Sequence, residues 1–255
     1  MQPASLDFQT AFDFTGQVAL VTGAVGGIGK AMAEIFRERG IRLALVDRNP
    51  EVMTLAETLG GGARGWVTDI NDEAVVIETV SAILSAFGRI DILVNNAGIG
   101  IVAPAEHTSL ADWDRTMAIN LRGQFLLSRT VAPHMLGANH GRIVIMSSQA
   151  AVIGIENHTA YSASKSGLLG MARCMAIEWG GRGVTVNTIS PTVVNTEMSQ
   201  VGWAGEKGVR ARAEIPVGRF AEPREIALAA LFLASGAAGM INGANLVIDG
   251  GYTIR

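Results

Sequence analysis

A chain of 255 residues, 49% of them hydrophobic, is long enough to bury a substantial core in one large domain. Its 20 basic and 23 acidic residues leave a net charge of −3 with no basic run, so charge gives no reason to expect nucleic acid or a membrane surface as a partner. A single cysteine excludes an intramolecular disulfide and fits a reducing compartment.

Short apolar runs alternate with longer amphipathic stretches along the chain. Residues 1–15 form an N-terminal extension, and "MQPASLDFQTAFDF" has no basic start followed by an apolar run, so it is not expected to act as a secretory signal. "QVALVTG" (17–23) is a β-rich run ending in glycine, and "AMAEIFRERG" (31–40) has helical spacing closed by Gly40. A second buried strand follows in "IRLALVD" (41–47), then a helix over 51–59, a strand in "ARGWVTDI" (63–70) and a helix over 72–87. "IDILVNNAG" (90–98) precedes a long helical region at 109–136, and "GRIVIMSS" (141–148) leads to a helix over 160–180. "GVTVNTISP" (183–191), a helix at 223–234 and "NLVIDGG" (245–251) complete the pattern.

About seven such strands separated by helices predict a parallel sheet covered on both faces, in one doubly wound α/β domain. Residues 192–215 lack clear periodicity, and so long a segment inside a compact domain is expected to be a substrate lid. Cys174, within "LLGMARCMAIEW", is expected to be a buried small hydrophobe. With no span of about 18 uncharged apolar residues, a soluble cytoplasmic protein is expected.

"TGAVGGIGK" (22–30) follows the first strand and opens the first helix. Gly23, Gly27 and Gly29 suit a sharp turn and close approach to a pyrophosphate, which a helix N-terminus attracts through its free N–H groups and dipole. The spacing is a variant of the dinucleotide fingerprint, and no G-K-[ST] closes it as a P-loop would. Asp47 ends the second strand eighteen residues past Gly29, where an acid can accept from an adenine-ribose diol and repel a 2′-phosphate. Arg48 complicates that reading, since an arginine could hold the phosphate; NAD is favoured over NADP. The four histidines show no metal-ligand spacing, and no metal is expected.

"TGAVGGIG", "NNAG" (95–98), "INLRG" (119–123), "IVIMSS" (143–148) and Y-x-x-x-K (161–165) occur in an order that resembles the short-chain dehydrogenase/reductase family, over nearly the whole chain. The resemblance implies a Rossmann fold and hydride transfer between a nicotinamide and a carbonyl or alcohol. It places a catalytic set on Asn120, Ser148, Tyr161 and Lys165. Coenzyme roles fall on Gly23, Val25, Gly27, Ile28, Gly29, Asp47, Asp69, Ile70, Asn96, Gly98, Tyr161, Lys165, Val194 and Thr196. The family commonly carries Pro-Gly after the sixth strand where this chain has Pro191-Thr192, a residue that disfavours positive φ.

Tyr161 and Lys165 lie one helical turn apart, so an ammonium is expected to lower the phenol's pKa from its ordinary ~10 towards working pH. Ser148 is expected to bind the substrate oxygen, and the Asn120 amide, by the resemblance, a water leading from Lys165. Between Ser148 and Tyr161 the chain offers Gln149, Asn157 and His158, and the lid offers Asn195 and Trp203, polar groups that suit a substrate with several hydroxyls. The chain is most similar to the NAD-dependent polyol dehydrogenases of the family, a small polyol and its ketose being the expected substrates and a homotetramer the expected assembly. One alternative is an NADP-dependent 3-oxoacyl-thioester reductase with Arg129 and Arg182 docking an acidic carrier. Another is an apolar-alcohol dehydrogenase with Val201, Trp203 and Val209 lining its pocket, and a third is a non-catalytic NAD(H) sensor.

Overall fold

The computed structural model describes residues 7–197, 199 and 203–255. Seven strands form one parallel sheet in the order β3-β2-β1-β4-β5-β6-β7: β1 (Val18–Thr22), β2 (Arg42–Asp47), β3 (Arg64–Val67), β4 (Ile92–Asn95), β5 (Gly141–Met146), β6 (Val184–Pro191) and β7 (Asn245–Ile248). The expected doubly wound α/β sheet is therefore observed. The strands are shorter than the apolar runs suggested, because their last residues turn out of the ladder into functional loops.

Side-chain alternation splits the core in two. Ala19 and Val21 of β1 join Ile92 and Val94 of β4 beneath α2 (Gly27–Glu38), α3 (Glu51–Leu59) and a later helix, Pro223–Ala234. Leu20 and Leu93 point the other way, against α4 (Glu73–Phe87), α6 (Gln124–Gly137) and α7 (Thr159–Gly180). Helices thus cover both faces, which is why most strand positions are buried runs without polar alternation.

The predicted helix over 109–136 is interrupted. Leu110–Met117 (α5) is capped by Ser109, whose hydroxyl accepts from Asp112 N–H at 3.1 Å, and Ala118–Gly123 then widen into a π-helical turn before α6. The turn holds Asn120 fully buried, and Gly123 is the residue type that lets Ile70 pack against it: a Cβ there would fall 2.8 Å from Ile70 Cγ1. Such single π turns often mark functional positions.

The segment at 192–215 is more ordered than its weak periodicity indicated, since it contains helix α8 (Gly205–Ala213) ahead of α9 (Pro223–Ala234). Val201 lies outside the described residues. In the N-terminal extension a short helix, α1 (Phe8–Ala11), is followed by Phe14, which sits in the core at 2% exposure. Residues 1–6 lie outside the described residues. Cys174 corrects the expectation of burial: it is exposed, because Ala172, Met175 and Ala176 take the inward face of α7 and rotate position 174 outward. Thr192 adopts no positive φ; its N–H donates to Ile248 O at 3.0 Å, so the backbone accepts a Cβ there without strain.

Candidate active site

The chain leaves β1 in one direction to build β2 and β3, then returns to β4 on the other side of β1. That reversal opens a crevice at the carboxyl ends of the two strands, the usual ligand position in such sheets. Two loops meet there. Gly23, at φ +63°, lies so close to the loop after β4 that an added Cβ would stand 2.9 Å from Ala97 Cα. Asn96 locks them together, its side-chain N–H groups donating to Thr22 O at 3.0 Å and Gly23 O at 3.1 Å. A Cβ on Gly29 would fall 2.1 Å from Gly23 O, and one on Gly27 would fall 2.8 Å from Thr196 Cγ2. These glycines are therefore required first by the protein's own close packing.

Helix α2 begins beneath this loop with Gly26 as its cap, no side-chain hydrogen bond to its first turn and no acid in that turn. Its leading N–H groups are left to an external acceptor, whereas α4 spends Asp72 and α5 spends Ser109 on the same need. An anionic pyrophosphate suits the uncapped end. Asp47 faces the same loop: one carboxylate oxygen accepts from Val25 N–H at 3.0 Å and the other from Asn49 N–H at 2.9 Å. Arg48 beside it is exposed. Val25 and Ile28 pack partly against the core below the loop.

Across the crevice lies the second cluster. Lys165 is 4% exposed, and its Nζ donates to Met146 O, the last carbonyl of β5, at 2.7 Å. Burial drags the ammonium down from the ordinary 10.5 to about 8. The Nζ stands 5.7 Å from the Tyr161 ring centroid. The expected sense of the phenol's shift is reversed in the chain by itself: burial pushes Tyr161 up, and the group that pulls it back is the Ser148 hydroxyl. Ser148, 9% exposed, also accepts from Ala150 N–H at 3.2 Å, so it caps the turn Gln149–Ala151 while facing Tyr161.

Asn120 differs in detail from the expected amide-held water. Its two N–H groups are already committed, to Ile99 O at 2.9 Å and Ser164 Oγ at 3.2 Å, and its Oδ1 accepts from Ile99 N–H at 2.8 Å. Only the second lone pair of Oδ1 remains on the side chain for a water. A Cβ on Gly98 would meet both Asn120 Oδ1 (3.2 Å) and Lys165 Nζ (3.4 Å), so this glycine keeps the gap between them open.

Other predicted residues fall less centrally. The exposed Asp69 turns its carboxylate back to Asn71 N–H, at 2.9 Å, and Ile70 spends its side chain in the core. Val194 is buried against the first core half, while Thr196, exchanging bonds with Ser199, reaches the glycine loop. His158 meets the Tyr161 ring edge-on with centroids 5.9 Å apart, its Nδ1 at 2.6 Å from Glu156 O. Asn157, at φ +65°, is exposed, and its carbonyl accepts from Ala103 N–H. Trp203 packs on Phe220 (6.1 Å) and beneath Lys207 Nζ (4.6 Å). Two positioning residues escaped the sequence reading: Ser147, whose Oγ donates to Lys165 O at 3.0 Å, and Ser164, whose Oγ donates to Tyr161 O at 2.7 Å. Their signal was present in the paired serines of "IMSS" and the second serine of "YSASK".

A parallel doubly wound sheet with this crevice and this Ser-Tyr-Lys-Asn cluster defines a nicotinamide-type oxidoreductase fold. A family model described as "Enoyl-(Acyl carrier protein) reductase" matches residues 23–253, and the chain belongs to the short-chain dehydrogenase/reductase family. It is 55% identical to a D-threitol dehydrogenase of Mycolicibacterium smegmatis over 100% of this chain and 98% of that one. An NAD-dependent glycerol dehydrogenase of Listeria innocua is 42% identical over 97% and 98% of the two chains. The solved structure of an NAD+-bound xylitol dehydrogenase superposes with a TM-score of 0.90 at 32% identity, covering 93% of this chain and 99% of that one.

Gly29→Ala should lower stability by about 1–3 kcal/mol through overpacking, because its methyl lands on Gly23 O and Asn96 Nδ2. Urea unfolding measures this, and an unchanged midpoint would show that the loop has slack the structure denies.

Proposed function

We propose that the protein is an NAD-dependent dehydrogenase interconverting a small polyol and its ketose, working in the cytoplasm as a homotetramer. The observation that carries the reading is the Lys165–Tyr161–Ser148 cluster, with Lys165 and Ser148 buried and Tyr161 half-buried, at the same carboxyl edge of the sheet as an uncapped helix N-terminus and Asp47. The similarity to enzymes named for threitol, glycerol and xylitol supports the substrate class. Exposed Leu110 (80%), Phe125 (41%) and Ile177 (84%) on α5, α6 and α7 support assembly through those helices.

The loop Gly23–Gly29 would hold the coenzyme pyrophosphate, Asp47 the adenine ribose, and Asp69 with Ile70 the adenine side. Asn96, Gly98, Lys165, Val194 and Thr196 would border the nicotinamide. When bound, the oxidised nicotinamide supplies the hydride acceptor and a positive charge. The chain's own residues handle the proton. Ser148 Oγ hydrogen-bonds the substrate oxygen, and once Tyr161 has given its own proton to the exit path, its phenolate Oη takes the alcohol's hydroxyl proton as the carbonyl forms. Lys165 holds a positive charge behind the phenol at neutral pH, and the free lone pair of Asn120 Oδ1 accepts the water that carries the proton outward.

The exposed Arg48, which could hold a 2′-phosphate, is the feature that would suit the rival NADP-dependent 3-oxoacyl-thioester reductase. One of the arginines invoked for its carrier, Arg129, is already engaged with Glu73. A panel of polyols, ketoses and acetoacetyl thioester with NAD and NADP separates the readings. Polyol turnover with NAD should dominate, and Tyr161→Phe should reduce it by about 10²–10⁴-fold. Faster thioester reduction would install the rival, and coenzyme binding without any turnover would make the protein a sensor.

Asp47→Asn keeps one acceptor for the loop but removes the charge. The NADP:NAD ratio of kcat/KM should rise about 10-fold or more, which corresponds to ~1.4 kcal/mol of relieved repulsion. A constant ratio would remove Asp47 from the ribose site.

A phenol pushed up by burial keeps its proton until higher pH, so alcohol oxidation should rise with pH. Lys165→Met removes the facing cation and should displace that rising limb further upward. A limb that stays in place while coenzyme binding weakens would leave Lys165 a binding group only.

A further inference from the structure

Among the residues flanking the catalytic serine, Gln149 is the anomaly. Its side chain is enclosed, with the residue 8% exposed, yet the amide oxygen is shielded from solvent without any hydrogen-bond donor. Its amide nitrogen is not shielded in the same way and meets no acceptor among the described residues. Leaving a buried amide oxygen unpartnered is costly, and native structures rarely do so without a reason.

The other four orphaned amide oxygens among the described residues differ, because each of those amides is anchored through its nitrogen: Asn95 to Ser128 Oγ at 2.8 Å, Gln124 to Ala97 O at 2.9 Å, Gln17 to Asp13 O at 3.2 Å and Asn71 to Asp69 Oδ1 at 2.9 Å. Gln149 has neither end tied. Its backbone, by contrast, is fixed: Gln149 O accepts from both Val152 and Ile153 N–H, at 2.9 and 3.1 Å, and Ser148 Oγ holds the same turn through Ala150 N–H.

Of the remaining candidates for reading a polar substrate, Asn157 is exposed, Trp203 packs on Phe220, and one ring nitrogen of His158 is engaged with Glu156 O. We infer that Gln149 is a specificity residue whose carboxamide binds the hydroxyl on the carbon next to the reacting one. This rests on the polyol reading above. Consecutive residues have Cα atoms 3.8 Å apart, so Ser148 and Gln149 are spaced to meet two oxygens on neighbouring carbons. A carboxamide both donates and accepts, which matches a hydroxyl as it matches no methyl or methylene. The orphan is then completed by substrate, and an alcohol lacking the second hydroxyl leaves it unpaired.

Propylene glycol and isopropanol differ by one hydroxyl at that carbon and serve as the probes, each with NAD. The wild-type enzyme should prefer the diol. In Gln149→Met, which keeps the length and removes both polar atoms, the diol-to-isopropanol ratio of kcat/KM should fall by about 10- to 100-fold. Its thermal midpoint should hold or rise, because an apolar chain replaces an unpaired amide. A wild-type preference that survives Gln149→Met overturns the assignment of Gln149 alone. A parallel loss with both alcohols, accompanied by a lower midpoint, makes the residue structural and overturns it too. A wild-type enzyme indifferent to the second hydroxyl overturns the polyol reading together with the inference.

Discussion

The site is organised by one hydrogen bond, from Lys165 Nζ to the carbonyl of Met146. An ammonium inside a protein needs an acceptor, and here the acceptor is the last peptide of β5, so the cation is pinned where the strand ends. A second bond runs the opposite way, Ser147 Oγ to Lys165 O, stitching strand to helix α7. Side chain holds backbone in both directions. The pair fixes how α7 is rotated, and with it Tyr161 one turn earlier. Ser164 extends the stitching to Tyr161 O and receives Asn120, so the π-helical turn is tied to the same helix face.

The coenzyme half of the crevice obeys a different constraint, the separation of two backbones. Parallel neighbours β1 and β4 bring their following loops together, and contact between Gly23 and Ala97 leaves no room for a Cβ. Gly29 and Gly27 repeat this against Gly23 O and Thr196. The loop's shape is set by protein atoms before any ligand arrives. Such preorganisation lowers the ordering cost of binding, and it explains why the first turn of α2 can stay uncapped. Thr196, reaching back from the segment after β6, links the far end of the crevice to this frame.

Much of this was legible in the sequence because it follows from periodicity and motif order: seven short strand-like runs between helices marked the sheet, and the glycines, Asp47 and Y-x-x-x-K fell near the ends of their elements. What stayed hidden depends on rotation and solvation. A π-helical turn has no compositional mark, so 109–136 looked like one continuous helix. Cys174 sits in an apolar stretch whose inward face is one residue away. Spacing brought Lys165 near Tyr161, but it carried no information about desolvation, which decides the direction of the phenol's shift. Nor could it show that Ile99 and Ser164 occupy the Asn120 amide.

That solvation balance has a consequence for the proton path. Burial disfavours each ion separately: it holds the phenol protonated, and it costs the Lys165 ammonium on the order of 3 kcal/mol, the difference between 10.5 and about 8. At neutral pH the cation is still present and the phenol is not ionised, so a phenolate forms only if its proton finds a way out. Above about 8 the isolated amine begins to lose its charge, while the phenol, pushed up by burial, still holds its proton. A phenolate formed beside this ammonium would hold it protonated, and the ammonium would favour the phenolate in turn. Ser148 assists from the other side by bonding the phenol oxygen. A site built this way stores little charge at rest and develops it only when the proton moves, which places the burden of the proposed chemistry on the exit path past Asn120 Oδ1 and on the width of the gap that Gly98 keeps open.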